Sequence, residues 1–282
     1  MIKINDLKFS YTKDKFIEGV SFDVKKGEVF GFLGPSGAGK STIQKIMIGL
    51  LPGYRGSVVV NGVEVRDHGN SFYEEIGVDF EYPSLYEKLT ARENLDFFAS
   101  LYSGEKFSTM ELLEKVGLER DADKKVMEYS KGMKSRLSFI KSFIHKPKIL
   151  FLDEPTSGLD PSNARVMKDM IKEQKMAGTT IIITTHNMED AAELCDRVAF
   201  IVDGRIPLLD TPHQLMLQES AKKVKYSYLD GDREIEIAST LDSLAEDVIF
   251  LDKIKRNELL TVHSGEPDLG DIFIKVTGRK LS

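Results

Sequence analysis

The chain is short of three things, and each shortage excludes something. It has one cysteine, Cys195, in 282 residues. No internal disulfide can form, so the core must hold the fold, and a reducing compartment is expected. The ordinary use of such a thiol is as a small core residue. Long apolar runs are also missing. The longest, "VFGFLG", "TIIITT" and "RVAFIV", fall far below the roughly 20 residues a spanning helix needs. The opening "MIKINDLKFS" carries no apolar signal region either, so any membrane role is expected to come through a partner. Finally, there is no excess of positive charge. Lys and Arg number 39 against 45 Asp and Glu, a net charge of -6, with no basic tail. Nucleic acid is therefore not an expected partner.

What is present suits a globular protein: 41% hydrophobic and 30% charged residues, enough for a large domain with a smaller one attached. "MIKINDLKFSY" and "GVSFDVKKGEVFGFLG" read as strands, with "KKGE" as a turn. "GKSTIQKIMIGLL" has helical spacing and "PGYRG" stops it, while "GSVVVNGVEV" is a hairpin turning at Asn61-Gly62. From about residue 90 to 145 the pattern is helical, opening on Thr90 with Glu93 three positions on, a capping box. A helix through "NARVMKDMIKEQKMAG" and buried strands at "TTIIITTH" and "RVAFIVDGRI" follow. Strands alternating with helices predict a parallel sheet flanked by helices, an α/β fold with the helical stretch inserted. Near residue 217 the character changes. "KKVKYSYLDGDREIEIA" alternates around Asp230-Gly231-Asp232, "NELLTVH" reads as a strand and "PDLGDIFIKVTGRK" as a last helix. Residues 1–217 are expected to form one domain and 218–282 a small α+β appendage.

Two stretches carry chemistry. "GPSGAGKST", spanning Gly34, Pro35, Ser36, Gly37, Ala38, Gly39, Lys40, Ser41 and Thr42, fits G-x-x-x-x-G-K-[ST] between a strand and a helix. Glycines let backbone N–H groups turn toward phosphate oxygens, and the helix start adds positive potential. Lys40 is placed for the terminal phosphates of ATP and the Ser41 hydroxyl for Mg²⁺. The second stretch is "KILFLDEPTSGLD". A fully apolar strand ending in Asp153 and Glu154 needs a reason, since unpaired buried carboxylates are costly. Beside a phosphate cradle, Asp153 has the metal to hold, and Glu154 sits where it can orient or deprotonate a water.

These residues, in this order, resemble the ATP-binding subunit of ABC transporters across roughly the first 215 residues. "YSKGMKSRL" resembles the family signature, with Ser130 and Gly132 as its serine and glycine. "SGLD", ending in Asp160, resembles the D-loop, His186 resembles the switch histidine, and Tyr11 resembles the aromatic that stacks on adenine. The tail "EPDLGDIFIKVTGRKL" is similar to that of export-type members, including drug and antibiotic exporters. The resemblance implies a P-loop NTPase core with a parallel sheet, an antiparallel β subdomain and an inserted helical subdomain. It also implies two ATP-binding subunits, identical or not, that sandwich each ATP between one cradle and the other's signature. A separate integral membrane permease would receive the motion, placing the chain on the cytoplasmic face of the membrane.

Two departures stand out. Lys131 and Met133 replace a glycine and the glutamine of the usual signature. In "GVDFEYPSLYEKLT", Glu81 stands where the family has a glutamine near the metal, and no glutamine occurs between Gln44 and Gln174. Glu81 is then either a carboxylate at the metal or a solvated side chain. Two other classes use such a cradle. A mechanical ATPase acting on DNA or ribosomes usually carries a long coiled coil or two cores. A small-molecule kinase would have no need of "YSKGM" or His186.

Overall fold

A computed structural model of the protein describes residues 1–12, 16–219, 223–231, 233–265 and 268–278. Asp232 of the expected hairpin turn, and Glu266, Pro267 and residues 279–282 of the expected tail, lie outside the described residues. The chain divides into two compact units, Met1–Leu209 and Asp210–Lys280.

The first unit opens with strands β1 (Ile2–Phe9), β2 (Ile17–Val24) and β3 (Val29–Leu33), helix α1 (Lys40–Met47), strands β4 (Arg55–Val60) and β5 (Val63–Glu64), the short helix α2 (Ser71–Glu74) and strand β6 (Ile76–Asp79). The helical insertion follows as α3 (Ala91–Ser100), α4 (Thr109–Lys115) and α5 (Lys131–Ser142). Then come β7 (Ile149–Asp153), α6 (Pro161–Met176), β8 (Thr180–Thr185), α7 (Met188–Leu194), β9 (Arg197–Val202) and β10 (Arg205–Asp210). Strands β2-β1-β4-β5 form an antiparallel sheet, and β10-β9-β3-β8-β7-β6 form a second, larger one. In the larger sheet β9, β3, β8, β7 and β6 pair parallel. The two sheets share one core: Phe22 of β2 stacks on Phe30 of β3 at 5.3 Å and meets Phe32 edge-on at 5.2 Å. Thr90 caps α3 in the expected capping box, and β3, β7 and β8 are buried along their whole length, as strands covered on both faces should be.

Two expectations meet differences, and one strand is not anticipated. "RVAFIVDGRI" reads as one buried strand, but the chain turns at Asp203-Gly204, both left-handed, and splits it into the neighbours β9 and β10. β6, only four residues long, has no alternation to announce it. The boundary between units falls at Leu209 rather than residue 217, because helix α8 (Pro212–Glu219) packs within the second unit against its last helix, α11 (Leu269–Thr277). That unit otherwise holds the sheet β12-β11-β13, made of β11 (Lys223–Asp230), β12 (Arg233–Thr240) and β13 (Leu259–Gly265), with α9 (Leu241–Leu244) and α10 (Val248–Lys255) between its last two strands.

Candidate functional site

Register in the larger sheet builds the site. Leu33, the last residue of β3, pairs with Thr185 of β8, Asp153 of β7 pairs with Thr184, and Asp79 of β6 pairs with Leu152. The carboxyl ends of four parallel strands therefore share one edge, where ligands of open α/β sheets bind. The loop from β3 to α1 wraps this edge. A Cβ on Gly34 (φ 157) would collide with the Ile201 carbonyl, and one on Gly39 (φ 112) would lie 2.7 Å from Ile17, so both positions require glycine. Helices α3 to α7 each start with a side-chain cap, from Thr90, Ser108, Ser130, Asp160 and Asn187. Helix α1 has none, and no acid in its first turn. Its leading amides are free to take an anion, the condition for phosphate binding at a helix start.

A cavity of about 250 Å³ opens there, lined by Phe16, Ser36 to Thr42, Glu81, Asp153, Glu154 and His186. Lys40 is buried, and its Nζ donates to the carbonyls of Gly34 at 2.6 Å and Pro35 at 3.1 Å. Burial lowers the pKa of its ammonium, against the pull of Glu154, Asp153 and Glu81. Ser41 Oγ donates to Asp153 Oδ1 at 3.3 Å, and Thr184 Oγ1 donates to the same oxygen. A hydroxyl and a carboxylate brought together in this way suit a hard divalent cation. Glu154 sits at φ 53, in the left-handed region, its N–H held by the Thr184 carbonyl at 2.9 Å. Its Oε2 accepts from Thr185 Oγ1 at 3.1 Å, and its Oε1 lies 2.8 Å from His186 Nδ1.

The structure thus brings the cradle, Asp153, Glu154, His186 and Glu81 into one cavity, and places Glu81 on its wall. Tyr11 lies beside it, half-exposed, its hydroxyl 3.0 Å from Thr42 Oγ1 and its ring against Phe9 and Phe16. Ser130, Gly132 and Asp160 are not among the lining residues. Ser130 caps α5 and Asp160 caps α6, its carboxylate taken up by the amides of Ser162 and Asn163.

Sequence reasoning missed Phe16, Thr184, Thr185 and Asp79. The first three carry a weak signal, an aromatic before β2 and the pair preceding His186. Asp79 carries none. It is buried, and Ser138 Oγ of α5 donates to its Oδ1 at 2.7 Å. Burial pushes its carboxyl up to about 7, against the Ser138 hydrogen bond and the charge of Lys141. It stands two residues before Glu81 in a smaller cavity of about 100 Å³ between β6, β7 and α5.

Comparison with known proteins agrees with this geometry. The family described as "ABC transporter" matches residues 17–157. A fluoroquinolones export ATP-binding protein of Mycobacterium tuberculosis is 49% identical over 100% of this chain and 95% of its own length. A linearmycin resistance ATP-binding protein of Bacillus subtilis is 32% identical over 100% of this chain and 99% of its own. The solved ATP binding subunit of an ABC transporter superimposes with a TM-score of 0.70 at 32% identity, covering 77% of this chain and 92% of that one. An uncapped phosphate cradle, an acid pair closing a buried strand and full-length likeness to such relatives have one common account: this chain belongs to the ABC transporter family, as one of its ATP-binding, ATP-hydrolysing proteins.

Proposed function

We propose that the chain is the ATPase of an export system for antibiotic-like compounds, working as one of two ATP-binding subunits on a separate membrane permease. The observation that carries the catalytic half is the Glu154 carboxylate, held by Thr185 and His186 on the wall of the phosphate cradle. Glu154 is the general base for the attacking water and His186 its positioning partner. Lys40 and the amides of Ser36 to Thr42 bind the phosphates, and Tyr11, with Phe16 beside it, takes the adenine. Ser41 and Asp153 would hold Mg²⁺. Three carboxylates, Glu81, Asp153 and Glu154, face Lys40 across this cavity, so an anionic ATP needs a counter-ion to enter. Mg²⁺, held there, would supply that charge and neutralise the phosphates. Ser130, Gly132 and Asp160 lie outside their own chain's cavity, which supports a second subunit presenting its Ser130 and Gly132 to the γ-phosphate.

The permease needs a docking surface. Among the described residues no helix is long and apolar enough to cross a membrane. An apolar groove of about 220 Å³ lies between the parallel sheet and the helical insertion, lined by Ile48, Leu50, Ile76, Val78, Phe80, Phe98 and Tyr102 among others. Large exposed apolar side chains, Leu50, Tyr82, Tyr86, Phe97 and Leu101, belong to the same part of the chain. An apolar groove with exposed apolar side chains in the same stretch of chain is the kind of surface a partner covers, and it supports docking of the permease there. The appendage would then act on dimerisation or regulation, since every nucleotide motif precedes it. The names of the relatives, fluoroquinolone export and linearmycin resistance, support export as the direction. The test is transport. Inverted vesicles carrying the chain with the multi-span protein that co-purifies with it should take up a fluoroquinolone when given ATP. ATP-driven movement in the opposite direction, or no multi-span partner, would overturn the reading.

Glu81 offers a sharper test of the metal. A carboxylate on the cavity wall attracts Mg²⁺ and repels the γ-phosphate. Through water, each charge pair at about 4 Å is worth roughly 1 kcal/mol, and burial enlarges it. The metal carries two charges, so attraction should win. Glu81→Gln is expected to raise the Mg²⁺ concentration for half-maximal ATPase activity, with little change in metal-free ATP affinity. Superimposable Mg²⁺ curves for the two proteins would show that Glu81 faces solvent.

A further inference from the structure

Asp190 occupies the third position of α7, whose N-cap is Asn187: the Asp190 N–H donates to Asn187 Oδ1 at 3.1 Å. An acid at that position ordinarily serves its own helix, through the dipole or by reaching back to the N-cap amide. Asp190 does not reach back. The Asn187 N–H donates to Thr185 Oγ1 instead, at 3.0 Å. The Asp190 carboxylate, in a residue only 8% exposed, faces two other elements. Thr156 Oγ1, in the loop after β7, donates to its Oδ2 at 2.5 Å, and Lys168 Nζ of α6 lies 3.2 Å from its Oδ1.

Followed around, these contacts close a ring. Thr185 Oγ1 accepts from Asn187 and donates to Glu154 Oε2 at 3.1 Å. Asn187 leads to Asp190, Asp190 to Thr156, and Thr156 returns to Glu154 through Pro155. The ring binds the end of β7 to the end of β8 at the two residues that carry the chemistry, Glu154 and His186. It does so at a strained backbone position, since a non-glycine residue at φ 53 persists only when its surroundings over-determine it.

We propose that Asp190 is a positioning residue for ATP hydrolysis, acting through Thr156 and Asn187 to fix the Glu154 carboxylate against the His186 imidazole. The inference rests on Glu154 being the base and His186 its partner. Catalysis by a positioned base depends on alignment, and a displacement of about 1 Å can cost ~10²-fold in rate. The groups that hold ATP, the cradle amides, Lys40 and Tyr11, are not members of the ring.

The test is steady-state ATPase kinetics on the full chain, with variants that cut the ring at different places. Thr156→Val removes one hydroxyl at nearly constant shape and should lower kcat by roughly 10- to 100-fold while leaving KM for ATP within about two-fold. Thr156→Ser should restore kcat. Asp190→Ala should match the loss, and adding Thr156→Val to it should lower kcat no further, since a ring is broken only once. Asp190→Asn can offer its oxygen to Lys168 and its NH₂ to the Thr156 hydroxyl, and should stay near wild type. The imidazole NMR signals of His186 should move in Thr156→Val and return in Thr156→Ser. If Thr156→Val melts earlier but keeps kcat, or if kcat and KM worsen alike, Asp190 serves only its helix and the proposal falls. Glu154→Gln, run alongside, separates the two failures. If it leaves turnover intact, the base assignment itself is wrong and the positioning role goes with it. If it stops turnover while Thr156→Val does not slow it, only the ring is overturned.

Discussion

Lys40→Ala is expected to remove useful ATP binding. Among the described lining residues of the cavity, Lys40 is the one permanent cation, and it faces Glu81, Asp153 and Glu154. Without it, the incoming phosphates meet only carboxylates and backbone dipoles. A hydrogen bond to a charged group is worth about 1.5–3 kcal/mol, and each 1.4 kcal/mol is tenfold in affinity. Loss of the ammonium's contacts with two phosphates should therefore weaken binding by ~10²-fold or more. The ammonium has a second duty, since it also ties the Gly34 and Pro35 carbonyls. Truncation could disturb the loop as well as remove the charge. Lys40→Met keeps most of the buried volume while losing the ammonium, its charge and its ties to both carbonyls together, and so separates the ammonium from side-chain bulk. Titration with a fluorescent ATP analogue should show both variants weakened alike if the ammonium, rather than side-chain bulk, is the cause. Wild-type affinity in either would mean that the loop amides alone hold the nucleotide.

The parts of this site that could be read from the sequence are those encoded locally. The cradle is one continuous stretch whose glycines, lysine and hydroxyls stand at fixed offsets, and the fully apolar run before Asp153 announces a strand buried on both faces. Nothing local told how these stretches meet. Ser41 and Asp153 are brought together across 112 residues by the order of strands in the parallel sheet, and Ser138 and Asp79 across 59 by the packing of α5 on β6. That order follows from crossover connections, and periodicity within one strand says nothing about it. Asp79 illustrates the gap: flanked by Val78 and Phe80 at the end of a four-residue strand, it looks like an ordinary surface acid until α5 covers it. The split of β9 from β10 has another cause. Two left-handed residues at Asp203-Gly204 reverse the chain, and the apolar residues on both sides mask the turn. Glu81 was visible as an oddity in the sequence, but only its place on the cavity wall gives it a charge to act on.

Glu154→Gln should leave ATP binding intact and stop the reaction at its chemical step. The substitution keeps shape and nearly keeps the contacts. A glutamine can still accept from Thr185 Oγ1 through its oxygen and donate to an unprotonated His186 Nδ1 through its NH₂. What it cannot do is take a proton from water, so a loss reports on proton transfer rather than on misplacement. Removing a positioned base typically costs ~10² to 10⁴ in rate. If ATP joins two subunits, the uncut nucleotide should also hold them together. The variant should then elute as an ATP-dependent dimer under conditions where the wild type, having hydrolysed its ATP, runs as a monomer. The two readouts fail independently. Unchanged turnover in a single-turnover assay at saturating ATP would remove Glu154 from the role of base, whatever the oligomeric state. Slow turnover without ATP-dependent dimers would keep the base and remove the sandwich. Ser130 and Gly132 would then need some other reason to sit at the head of α5, outside the lining of their own chain's phosphate cavity.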